Sequence, residues 1–126
     1  VPGIRITEAD LPGMDVCVDE SQTGCVVTYS AFSRTPPPDS RYGGEGVLCT
    51  NPASLGANDR AALRGPIPNL TAQCDANNIL MIDGPGASAL PALPNETWGL
   101  HLLDLTLPQQ TLVDLVQTQS AAYLAR

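Results

Sequence analysis

Apolar and polar positions change period several times along the 126 residues. Residues 24–32, GCVVTYSAF, are β-branched and aromatic and are bounded by Gly24 and Pro36-Pro37-Pro38, which predicts a strand. Its two faces, Cys25, Val27, Tyr29, Ala31 and Val26, Thr28, Ser30, Phe32, are both partly apolar, which places it inside a sheet. Further short strands are expected at 4–6, 47–50 and 78–83 (NILMID), with a turn at Asn51-Pro52. Asn58 is placed to cap a short helix over 59–64 that Gly65 stops. Gly99 to Leu105 is apolar around one histidine and reads as another strand. Residues 33–46, 65–76 and 84–98 read as loops, longer than compact domains usually carry. The end differs in period. Leu112, Val113, Leu115, Val116, Ala122, Tyr123 and Leu124 recur at helical spacing, with Thr106 as cap and Pro108 in the first turn. One amphipathic helix over 108–125 is expected. The fold class is therefore α+β or partial α/β: a small sheet, long loops and a C-terminal amphipathic helix, as one domain over 1–126.

Composition narrows the function classes. Apolar residues make 43% and charged residues 15%, which excludes a disordered chain. No apolar run is long enough to span a bilayer. The six basic residues are all Arg, and the net charge of −7 disfavours nucleic acid and anionic lipid as partners. There is one Trp, three Tyr and one Phe, so the core must rest on aliphatic side chains, and outside support is expected.

Cys17, Cys25, Cys49 and Cys74 supply one form of support. None are spaced C-x-x-C and His101 is the sole histidine, so a zinc site is disfavoured. Two disulfides allow three connectivities, of which the sequential pairing, Cys17–Cys25 and Cys49–Cys74, is preferred; four buried free thiols are the alternative. Bridges would place the chain in an oxidising compartment, secreted or in the cell envelope. No basic n-region with an adjoining apolar segment is visible, so that reading takes the chain for a mature protein or a piece of one.

Three constellations bear on chemistry. Asp83-Gly84-Pro85-Gly86-Ala87-Ser88-Ala89 outlines a dinucleotide fingerprint, but Pro91 and Pro94 interrupt the helix it requires, so a glycine turn is the better reading. Ser88 lacks the second glycine of a nucleophile elbow, since Leu90 stands there. A self-contained esterase using Ser88 and His101 is disfavoured. From spacing alone His101 reads as a structural histidine. Its place, late in the chain and just before the last helix, is also that of an α/β-hydrolase base. Such a base needs an acid to orient it. Asp83, Asp104 and the remoter Asp39 are candidates, although on a strand Asp104 would face away from His101. The sequons at Asn69 and Asn95 are assigned no role.

The stretches Gln22-Thr23-Gly24-Cys25-Val26-Val27-Thr28-Tyr29-Ser30-Ala31-Phe32, Pro36-Pro37-Pro38 and Leu48-Cys49-Thr50-Asn51-Pro52-Ala53 resemble a secreted, lipase-like actinobacterial family filed as a domain of unknown function. The ending Trp98-Gly99-Leu100-His101-Leu102-Leu103-Asp104, followed by a helix, resembles it too. The resemblance covers residues 12–56 and 95–125. It implies an α/β-hydrolase-like fold of which this chain is the downstream half, with the nucleophile serine in an upstream half. His101 then matches the late histidine expected as triad base, and Asp104 an acid beside it. No residue here matches the G-x-S-x-G serine. The implied function is the C-terminal part of a secreted esterase or lipase-like serine hydrolase, inactive alone. Its partners would be an ester or lipid-like substrate and the missing N-terminal half, with no cofactor or metal. The loops at 33–46 and 84–98 would line or cover the acyl site. The rival reading is a non-catalytic secreted or envelope module that binds a protein or an apolar ligand.

Overall fold

A computed structural model describes residues 5–126. Its largest sheet has four strands in the order β3-β6-β5-β4. β4 is Ala61–Leu63, β5 Leu70–Cys74, β6 Leu80–Asp83 and β3 Ala31–Phe32. β4, β5 and β6 form an antiparallel meander, while β3 lies parallel to β6 at the edge, with Ala31 opposite Leu80. A second, two-stranded parallel ladder joins β1 (Asp15–Val16) to β2 (Cys25–Val26). The chain closes with α1, Gln109–Ala125. The molecule is α+β, with small mixed sheets and one helix.

The pairing of Cys17 with Cys25 and of Cys49 with Cys74 is sequential. The first bridge closes the loop between the strands of the small ladder. The second fastens the segment after the 33–46 loop to the end of β5.

Tyr29, Ala31, Leu63, Leu70, Ala72, Leu80, Ile82, Ala87, Leu100 and Leu107 make the main core. It is aliphatic apart from Tyr29. Phe32, Tyr42 and Ile79 form a second buried cluster, with Trp98 packed against it.

Several local expectations are corrected. The 24–32 strand is broken into β2 and β3, because residues 27–30 leave one sheet before the chain joins the other. The 59–64 helix is instead β4, where pairing with β5 overrides a weak helical preference. Asn58 caps no helix. It adopts φ +48°, and its amide exchanges two hydrogen bonds with the backbone of Cys74 (2.8 and 3.0 Å). The 65–76 loop contains β5, the longest strand, whose alternating pattern in Leu70, Thr71 and Ala72 is too short to stand out. Of the expected 47–50 strand, only an isolated bridge from Val47 to Thr7 forms, and the 4–6 strand lies partly outside the described residues. The 78–83 strand is present as β6, and the terminal helix begins one residue after Pro108. The Asn51-Pro52 turn is closed by Leu55 N–H to the Asn51 carbonyl (2.6 Å). Within 84–98, single 3-10 turns form at Ala87–Ala89 and Glu96–Trp98.

The correction that matters most is at 99–105. No strand forms there. A 3-10 turn over His101–Leu103 takes its place. Gly99 initiates the departure with φ +53°, and a β-carbon there would collide with the Phe32 ring. The turn lies against the free edge of β3, where Leu100 N–H donates to the Ala31 carbonyl (2.8 Å). It thereby satisfies an edge group that a neighbouring strand would otherwise take.

Candidate functional site

In a 3-10 turn, side chains at i and i+3 stack on the same side. That geometry brings His101 and Asp104 together, where a strand would have separated them. His101 Nδ1 lies 2.8 Å from Asp104 Oδ2. The other carboxylate oxygen accepts the Ala31 N–H (2.9 Å). The Asp104 carbonyl accepts the Tyr29 hydroxyl (2.7 Å). Both oxygens of the carboxylate are thus engaged and the residue is held at three atoms. Its side chain is 2% exposed, against 22% for His101.

The electrostatics follow from that burial. Loss of solvent raises the Asp104 carboxyl to about 6, opposed by the hydrogen bonds from Ala31 and His101. The Tyr29 phenol is pushed above its ordinary range, first by burial and then by the Asp104 charge. With an ionised carboxylate as acceptor, Nδ1 must carry the proton in the neutral ring. Nε2 is then the basic nitrogen, and among the described residues it has no hydrogen-bond partner. The arrangement is chemically a base with its orienting acid: a ring that can accept a proton at Nε2 while a buried carboxylate stabilises the resulting cation.

The other candidates are elsewhere. Asp83 ends β6 exposed, paired with Arg60 (3.2 Å), and makes no hydrogen bond to His101. The carboxylate that orients the ring at Nδ1 is that of Asp104, while Asp83 is engaged by Arg60. Asp39 is exposed in the 33–46 loop. Ser88 is exposed in the Ala87–Ala89 turn, where its carbonyl accepts from Arg34 (3.1 Å). No hydrogen bond joins its hydroxyl to His101. All four cysteines are in disulfides and so offer no thiolate to a metal. Among the described residues no group of three or more His, Cys, Asp or Glu could hold a metal ion. No helix among them is long and apolar enough to cross a membrane.

The 33–46 and 84–98 loops do meet. Ser33, Arg34 and Thr35 face Ser88, Leu90 and Pro91 across a cleft of about 180 Å³, with Phe32 and Gly99 at its inner side. These segments leave the carboxyl ends of the parallel neighbours β3 and β6, the usual place for a ligand crevice in such sheets. The cleft reaches Gly99, two residues before His101, but His101 does not line it.

Sequence reasoning missed Tyr29, the Ala31 N–H, Tyr42 and Trp98 as neighbours of the dyad. Only Trp98, three residues before His101, carried a local signal. No family model, curated protein or solved structure matches the chain.

Proposed function

We propose that this chain is the C-terminal part of a secreted serine hydrolase acting on carboxylic esters, and that it contributes His101 as base and Asp104 as the acid that orients it. The single observation carrying this reading is the dyad: a buried carboxylate on Nδ1, backed by a backbone N–H, with no partner for Nε2 among the described residues. A structural histidine in a core would have both nitrogens satisfied. The two disulfides are consistent with an oxidising compartment.

In this mechanism the nucleophilic serine comes from a segment upstream of this chain. Nε2 removes the hydroxyl proton as the serine oxygen bonds to the ester carbonyl carbon. The imidazolium is stabilised by Asp104. The proton then passes from Nε2 to the leaving alcohol as the carbon–oxygen bond breaks, leaving an acyl-serine. Water repeats the sequence: Nε2 takes its proton, the carboxylic acid departs and the serine regains its hydrogen.

The test is labelling of the parent protein with a fluorophosphonate probe, with the modified residue mapped by mass spectrometry. The expected result is label on an upstream serine that disappears in His101→Ala. Label on Ser88 would place the whole site within this chain. No label on folded parent protein would reject the hydrolase. That outcome would favour a non-catalytic envelope module, a reading to which the exposed outer side of α1 lends support: Val113, Val116, Tyr123 and Leu124 are all open to solvent.

A further inference from the structure

The chain has only five aromatic residues besides His101; three of them contact the dyad and a fourth, Phe32, backs one of the three. Tyr29 bonds the backbone of Asp104. The rings of Tyr42 and Trp98 lie 5.0 and 5.7 Å from the imidazole centroid, inclined to it at 37° and 52°. They also contact one another (6.1 Å), and Phe32 backs Tyr42 (5.9 Å). Such rings usually serve as the bulk of a core. Here the main core is left almost wholly aliphatic, and the rings are concentrated on a residue that is itself part-exposed.

The two rings come from distant segments, and a buried hydroxyl ties them together. Ser40 Oγ donates to the Thr97 carbonyl (2.7 Å) and accepts the Tyr42 N–H (3.3 Å). The 33–46 loop that carries Tyr42 is thereby fixed to the turn that carries Trp98. Gly99 completes the fit, because the absent β-carbon is what lets Phe32 pack against the backbone between Trp98 and His101.

We propose that Tyr42 and Trp98, joined through Ser40, are positioning residues that clamp the His101 imidazole so that Nδ1 stays on Asp104 and Nε2 is presented in one direction. One hydrogen bond fixes a ring nitrogen but leaves the ring free to pivot about that bond. Two aromatic contacts remove the pivot. Pre-organisation of this kind is what distinguishes a catalytic base from a merely paired histidine. The proposal deepens the hydrolase reading and rests on it for its purpose, but the clamp itself is a property of the ring and can be measured without turnover.

Imidazole nitrogen shifts and ring Cε1–H relaxation are to be measured by NMR on the disulfide-intact protein at a pH where the ring is neutral. The expected wild-type result is a single Nδ1–H tautomer and a ring as rigid as the backbone, with an order parameter of about 0.85. Trp98→Leu and Tyr42→Leu should bring in the Nε2–H tautomer and lower the order parameter, while Tyr42→Phe, which keeps the ring, should match wild type. Ser40→Ala should loosen the ring without removing either aromatic. A mobile wild-type ring would overturn the clamp, whatever the variants do and whether or not they fold. So would a wild-type tautomer and rigidity retained in both leucine variants. A clamp that behaves as expected in a protein no fluorophosphonate labels would retain this inference and reject the hydrolase. In a labelled parent, Trp98→Leu should lower kcat about tenfold or more with little change in KM.

Discussion

Asp104 makes the strongest demand on the surrounding structure. A carboxylate with 2% of its side chain exposed is stable only because the Ala31 N–H and His101 satisfy its oxygens. Replacement by Asn should leave the turn in place but allow the amide to stabilise the wrong tautomer of His101; under the proposed hydrolase function this lowers kcat by about 10³–10⁴-fold. Steady-state kinetics with an activated ester checks this. The folded carboxyl titrates at about 6 rather than at its ordinary value, so the fold binds this proton more tightly than the unfolded chain does. Its contribution therefore favours folding below about pH 4 and is lost as pH rises from there through about 6. Urea denaturation across that window should show a decline that is absent in Asp104→Asn. Activity should run the opposite way, falling as pH drops through about 6 and the carboxylate is neutralised. Tyr42 offers a contrasting test. Its hydroxyl is buried and has no partner among the described residues. Tyr42→Phe should therefore be neutral or more stable by about 1 kcal/mol in denaturant melts. Neither effect was legible in the sequence, where both residues are common types with no motif around them.

At the scale of elements, α1 shows what periodicity can and cannot give. Its spacing located the helix within a residue, because hydrophobic recurrence at 3–4 residues survives any tertiary arrangement. It did not say which apolar side chains are covered. Only Thr111 and Leu115 are buried, whereas Leu124 is 82% exposed. Leu115→Ala should cost about 2–3 kcal/mol and Leu124→Ala under about 0.5, measured by thermal or chemical unfolding. The 99–105 segment shows the converse. Its apolar content suited a strand, but the edge of β3 needed its hydrogen bonds filled, and Gly99 allowed the chain to turn and fill them. β4 and β5 were missed because three- and five-residue strands are made by pairing with each other rather than by their own pattern.

For the whole molecule, the disulfides do what an aromatic-poor core cannot. The Cys49–Cys74 bridge spans 25 residues and joins the 33–46 loop region to the four-stranded sheet; the other spans 8. On the loop-entropy account they contribute about 3.5 and 2.5 kcal/mol. Replacing Cys49 and Cys74 together with serine should lower stability by about that larger amount and loosen the segment through which Tyr42 reaches the dyad. Differential scanning calorimetry gives the first and His101 ring relaxation the second.

By itself the sequence determined the α+β class, the terminal helix and the β6 strand, and it favoured the sequential pairing of the cysteines that the structure shows. These depend on composition, local period and short loops, which any compact arrangement of this chain would keep. It also brought His101 forward by its position, and left three aspartates open as its partner. Tertiary structure alone decided among them. Asp104 meets His101 because a 3-10 turn, docked on the edge of β3, places residues three apart on one side, and Asp83 is drawn to Arg60 instead. The Tyr42 and Trp98 rings were likewise invisible until folding set them on His101, because they lie 56 residues apart in sequence and meet only in the fold, through their own ring contact and through Ser40.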